Sequence, residues 1–191
     1  MKSILCMLLS AILVSAPPVM AGEAALISWA TATKGGGFQL FGEVIAEVIN
    51  AADSELRVEA TPSRGSRQNL RLLEAGEVDV AQVEGNAARI ALDGIGRPAA
   101  NLKVLSVMYP NPGMFVVRGD SVYERIEDLQ GQPIAFGTKA SGLRILANDV
   151  LDGLGLDPEK DFQQIILDKA ADGPGLVVEG KAEALWGAGI G

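Results

Sequence analysis

TPSRGSRQNLRLLEAGEVDVAQVEG, residues 61–85, holds one full step of an alternating strand-and-helix pattern. Pro62 and Gly65 interrupt the chain, and Ser66 to Ala75 then reads as a helix. Gly76 stands where a helix ends best, because glycine takes the left-handed conformation at no steric cost. Val78 to Val83 reads as a strand, and Gly85 to Leu92 as the next helix.

The same alternation continues on both sides. Towards the N-terminus, Leu56 to Ala60 is a short strand and Ala25 to Thr31 another. Between them Phe41, Val44, Ile45, Val48 and Ile49 recur at three- and four-residue steps, which predicts a helix buried on that face. Towards the C-terminus, Leu102 to Met108 and Met114 to Arg118 read as strands, with Pro110-Asn111-Pro112-Gly113 as a crossover between two lobes. A short helix is expected over Ser121 to Leu129, with Ile126 and Leu129 inward. A strand over Ile134 to Phe136 and a helix over Ser141 to Leu151 follow. Phe162 to Leu167 and Ala182 to Trp186 are expected strands, and Pro174 opens a helix at its first turn. The expected class is α/β with mostly parallel sheets.

The first 21 residues read as a secretory leader. Lys2 is followed by the apolar run Ile4 to Val14, then by Pro17-Pro18 and a cleavage site ending at Ala21. The run is too short to span a bilayer. Processing there leaves 15 basic and 24 acidic residues, since Lys2 is the leader's only charge, and it removes Cys6, the only cysteine. The mature chain is therefore read as periplasmic, acidic, without thiols and without direct membrane insertion. Its charge argues against a nucleic-acid partner. There is no histidine. The commonest general base and metal ligand are thus missing, so no catalytic role, metal or cofactor is expected. The closing run Gly187-Ala188-Gly189-Ile190-Gly191 reads as a loop in mid-fold, which gives the expectation of C-terminal truncation.

Three strand-to-helix junctions share one composition: Thr33-Lys34-Gly35-Gly36-Gly37, Thr61 to Ser66, and Gly137-Thr138-Lys139-Ala140-Ser141-Gly142. Each has glycine for close backbone approach, a hydroxyl and one cation. Each precedes a helix, whose free N–H groups and dipole favour an anion. In open α/β sheets ligands bind at the carboxyl ends of strands, where all three lie. The candidate ligand residues here are Lys34, Gly35, Gly36, Phe38, Arg64, Gly65, Ser66, Thr138, Lys139, Ser141 and Gly142. Gln82, Glu84 and Asn86 either line the same cleft or cap the next helix, and Tyr109 serves either ligand or hinge. Trp186 walls the cleft or belongs to the core. The third loop is not a nucleotide-binding loop, because Leu143-Arg144 stands where Lys-Ser/Thr is required. Hydrogen bonds to a charged group contribute roughly 1.5–3 kcal/mol each. Three or four would supply much of the ~8 kcal/mol of micromolar binding.

In these segments the chain resembles the TAXI group of TRAP-transporter solute receptors. TATKGGGFQLFG (31–42) resembles that family's glycine-rich opening, with Gln39 and Leu40 in place of a second aromatic and a proline. Ser66, Asn69, Leu70, Gly76 and Asp79 fit the family's Gly-Ser-x-x-Asn-Leu segment and the helix end that follows it. MYPNPGMFVVRGDS (108–121) continues in register, while Ala140 and Leu143 depart from the usual Gly-Ser-Gly-Thr loop.

The resemblance implies a two-lobed, type II periplasmic-binding-protein-like fold. Lobe 1 would take residues 22–112. Lobe 2 would take 113–191 and be incomplete, with the return segment to lobe 1 missing. It also implies capture of a small organic anion, a dicarboxylate or acidic amino acid, and delivery to TRAP-type integral membrane permease subunits. The alternatives are a periplasmic sensor serving a signalling kinase, a secreted carboxylate enzyme built on Glu84 or Asp79, and a fragment with no activity of its own.

Overall fold

Residues 24–188 are described in a computed structural model. The expected leader at 1–21 and most of the C-terminal glycine run lie outside them. The first unit is built on three parallel strands, β1 (Ala25–Ala30), β2 (Leu56–Thr61) and β3 (Val80–Ala81), in the order β2-β1-β3. Their crossovers are α1 (Gly37–Ala52) and α2 (Ser66–Glu74), and α3 (Gly85–Asp93) follows β3. Parallel strands need such crossovers, and these place each helix N-terminus beside the carboxyl end of a strand. Gly76 has φ +68°, the left-handed helix end the sequence anticipates.

The second unit has four strands: β4 (Gly113–Val117), β5 (Pro133–Thr138), β6 (Gln163–Leu167) and β7 (Ala184–Ala188). Their order is β4-β7-β5-β6, with β4 antiparallel and the rest parallel. The helices are α4 (Leu143–Gly153) and α5 (Gly173–Val178), with Pro174 in the first turn of α5. The core is aromatic: Phe136 lies 6.1 Å from Phe115 and 5.8 Å from Phe162, and Phe115 lies 4.9 Å from Trp186. Leu129, Ile134 and Leu151 complete it. Trp186 is therefore a core residue, and its Nε1 donates to the Leu143 carbonyl at 2.8 Å.

Several expectations are overturned. α1 forms as anticipated, but its buried residues are Gln39, Gly42 and Ala46, while Phe41, Val44 and Val48 are exposed. Only Ile45 and Ile49 of the expected face reach the core, against Trp29 and Val58. The small residues face inward because α1 lies close over the sheet at Thr31, just past the end of β1. A Cβ on Gly42 would come 2.5 Å from Thr31 Cγ2.

Leu102 to Met108 joins no ladder, and Val104, Leu105 and Val107 are largely exposed. An apolar stretch with strand-like composition becomes a strand only where a neighbour completes its hydrogen bonds. The helix expected over Ser121 to Leu129 is reduced to a single 3₁₀ turn, Ile126–Leu129, held by Asp128 accepting from the amides of Glu124 and Arg125. Strand β3 is two residues long, not six, and β7 begins at Ala184. No described helix is long and apolar enough to cross a membrane.

Candidate functional site

The loops that follow β2 and β5 meet face to face. Gly65 precedes α2 with φ +113°, so only glycine suits the turn, and its missing Cβ would come 3.1 Å from the Ala140 carbonyl. That carbonyl accepts the backbone N–H of Arg67 at 3.2 Å. The Thr138 hydroxyl reaches the Arg64 carbonyl at 3.4 Å. A Cβ on Gly142 would fall 2.4 Å from Glu84 Cβ and 2.5 Å from Ser66 Oγ. Glycine therefore stands at this seam because atoms of the opposite unit occupy the side-chain space. The loop after β1 is met in the same way: Gly35 abuts Ala171, and the amide of Ala170 donates to Thr33 Oγ1 at 3.3 Å. Asn86 Nδ2 donates to Asp149 Oδ2 at 2.7 Å, joining α3 to α4.

Gly65, Ser66, Glu84, Thr138, Ser141 and Gly142 thus come together. Ser66 is buried, and its hydroxyl accepts the amide of Glu84 at 3.0 Å. Glu84 caps α3: its two carboxylate oxygens accept from the amides of Asn86 and Ala87 at 3.0 and 3.1 Å. Of the two uses open to Glu84 in the sequence, capping is the one its oxygens serve. Ser141 Oγ accepts the amide of Leu143 at 3.2 Å. Gly36 is the N-cap of α1 and contributes no side-chain cap, while Gln39 Oε1 accepts the amide of Gly35 at 3.0 Å. Tyr109 packs its ring 4.6 Å from Phe41 and 6.3 Å edge-on to Phe38, and burial raises its phenol above the ordinary value.

The cations are arranged otherwise. Lys34, Arg64 and Lys139 are exposed and form no ion pair among the described residues. Arg64 takes part through its backbone, donating its amide to Gln68 Oε1 at 2.8 Å. The guanidinium the seam does hold is Arg144, half-buried in the first turn of α4 and bonded to Gln164 Oε1 at 3.0 Å. Burial, and then the charge of Arg67, lower its pKa.

Asn69, quoted above only as part of a motif, is the central polar residue of the first unit. It is fully buried, and its Nδ2 donates to the carbonyls of Thr31 and Gln82, both at 2.7 Å, and of Ala30 at 3.4 Å. It ties α2 to the ends of β1 and β3. Its place one helical turn after Ser66 puts both on the same face of α2, a signal that the sequence carried. Gln82 is buried too. Its Oε1 lies 3.2 Å from where a Cβ of Gly42 would be, so the amide is tucked beneath α1.

A groove of about 460 Å³ borders the seam between α4 and the start of β6. Arg144 there faces Asp149, Asp152, Asp157 and Glu159, a balance wrong for an anion. No cluster of three or more His, Cys, Asp or Glu suited to a metal ion occurs among the described residues.

Two α/β units joined face to face through glycine-rich strand-to-helix loops define a two-lobed protein of the type II periplasmic-binding-protein kind. Solved structures agree on this fold. The alkanesulfonate-binding protein SsuA of Xanthomonas axonopodis pv. citri, bound to MOPS, matches with a TM-score of 0.61 at 20% identity, over 88% of this chain and 56% of its own. The periplasmic aliphatic sulphonate-binding protein SsuA of Escherichia coli matches at 0.56 and 23%, over 86% and 53%. The periplasmic VFT2 domain of Bordetella pertussis BvgS matches at 0.51 and 15%, over 86% and 66%. The chain thus spans little more than half the length of the two sulfonate-binding proteins. It belongs to the NMT1-like family, whose model matches residues 29–189.

Proposed function

We propose that the chain is the ligand-capturing receptor of a bacterial uptake system, working in the periplasm after removal of residues 1–21. It takes a small organic anion between its lobes and presents it to integral membrane permease subunits. The observation that carries this reading is the meeting of two helix N-termini, those of α2 and α4, across one glycine-lined seam with Ser66, Thr138 and Ser141 around them. Helix N-termini offer N–H groups and positive potential, which select anions. The two SsuA proteins bear the names of sulfonate binders, and sulfonates too are small organic oxyanions.

The finer assignment, a TRAP-type receptor of the TAXI group for a dicarboxylate or acidic amino acid, rests on the segments at 31–42, 61–85 and 108–121. The lobe boundary is placed at Pro112-Gly113. No catalytic residue is assigned.

Native mass spectrometry of protein taken from the periplasm tests the reading. Glutamate, 2-oxoglutarate, succinate and an alkanesulfonate are offered in turn to the stripped protein. One adduct of stoichiometry one supports it, and the adduct's identity separates carboxylate from sulfonate receptors. A mass unchanged by all four removes the binding claim.

A further inference from the structure

We propose that the two lobes latch directly on each other, with the Ala140 carbonyl withholding the Arg67 N–H, in the first turn of α2, from any anion until the seam opens. The amide of Arg67 lies in the first turn of α2, where no helical carbonyl can accept it. An anion's oxygen would take that place, and the carbonyl of Ala140 takes it, at 3.2 Å. Two donors ahead of α2 are also committed within the protein. The amide of Gly65 goes to Ser63 Oγ at 3.1 Å, and that of Arg64 to Gln68 Oε1 at 2.8 Å.

Further contacts repeat the arrangement along the seam. Gly142 leaves room for Ser66 and Glu84, Gly35 leaves room for Ala171, and Asn86 bonds to Asp149. Each of these contacts joins protein atoms of one lobe to those of the other. The latch is a self-inhibitory contact that any ligand seeking the Arg67 N–H has to displace. It stands on the seam geometry and holds whether or not the receptor reading above is correct.

Amide exchange of Arg67, read by ¹H–¹⁵N NMR on the ligand-free protein, tests it. The Asn69 amide bonds within α2 to the Gly65 carbonyl at 3.0 Å and serves as the internal standard for folding. The expected result is protection of the Arg67 amide by tenfold or more over its free chemical rate, on the order of one bond closed most of the time. Gly142→Ala has ordinary backbone angles but places a methyl against Ser66 and Glu84. It is expected to remove most of that protection while leaving Asn69 protected. Gly153→Ala, in open space on α4, leaves both unchanged. If Gly142→Ala also exposes Asn69, Asp149→Ala is read in the same way, since it breaks the Asn86 contact without adding bulk. Free exchange of Arg67 in the wild type, or protection indifferent to both seam variants, overturns the latch. Failure to bind any organic anion would count against the receptor function alone.

Discussion

Asp79 and Ser28 bind each other through both backbone and side chain. Asp79 Oδ2 accepts the Ser28 hydroxyl at 2.7 Å and the Ser28 amide at 2.8 Å, and the Asp79 amide returns to Ser28 Oγ at 3.0 Å. The pair fixes the entry of β3 beside β1, one residue before the first β1–β3 pair, Trp29 with Val80. The hydroxyl of Ser28, then its amide, hold the Asp79 carboxyl below the usual carboxylate range.

A depressed folded pKa gives stability that is present above the unfolded value, about 3.9, and lost as pH falls through the lower folded one. Asp79→Asn therefore lowers Tm at pH 7, and the gap to the wild type narrows as both are taken to about pH 2. Thermal melts across that range check it. A gap constant with pH would show that the charge contributes nothing.

Asn69→Ala removes the donor to three carbonyls inside a closed core and costs about 2–4 kcal/mol, since buried carbonyls left unpaired carry their full desolvation penalty. Asn69→Asp keeps the shape but turns a carboxylate towards those carbonyls, so it is worse at neutral pH and recovers in acid. Urea titrations at pH 7 and at about pH 4 separate the two variants. A loss under about 1 kcal/mol for the alanine variant would mean that the network relaxes around the gap.

After burial, the charge of Arg67 on the opposite lobe is the second cause that lowers the Arg144 pKa, and like charges placed across the seam oppose its closure. Raising salt from about 0.1 M to 1 M shortens the Debye length from roughly 10 Å to 3 Å. The Arg67 amide is then expected to exchange about two- to threefold more slowly, the size typical of exposed charge pairs. In Arg144→Gln the exchange is slow at both salts. An exchange rate unmoved by salt in the wild type would show the two charges to be uncoupled.

The alternation of strand and helix was legible because each element carries its own signal. Gly76 ends α2, Pro174 opens α5, and the glycine-rich loops fall between strand and helix. Partnership was not legible. Leu102 to Met108 has the composition of a strand and no ladder, because pairing depends on what lies alongside. The loops were found, yet their glycines serve the approach of the other lobe at least as directly as that of an anion. Nothing within one loop's sequence specifies what faces it. The cations chosen by their place in the loops, Lys34, Arg64 and Lys139, are exposed, while Arg144, two residues past the third loop, is the half-buried one.

The orientation of α1 turns on Gly42 and gives the sharpest test. A glycine inside a helix ordinarily costs about 1 kcal/mol relative to alanine, so Gly→Ala there is usually stabilising. Had Phe41, Val44 and Val48 faced the core, residue 42 would lie to one side and follow that rule. Here it faces Thr31, which is fully buried with its Oγ1 bonded to the Thr61 carbonyl at 3.0 Å and cannot turn aside cheaply. A methyl on residue 42 would come 2.5 Å from Thr31 Cγ2 and 3.2 Å from Gln82 Oε1. Gly42→Ala is therefore expected to destabilise by about 1–3 kcal/mol, the range of overpacked cores. Val44→Thr and Val48→Thr, on the exposed side, stay within about 0.5 kcal/mol. Urea denaturation of the three variants reads the face directly. A stabilised Gly42→Ala together with two damaging threonines would turn the helix over.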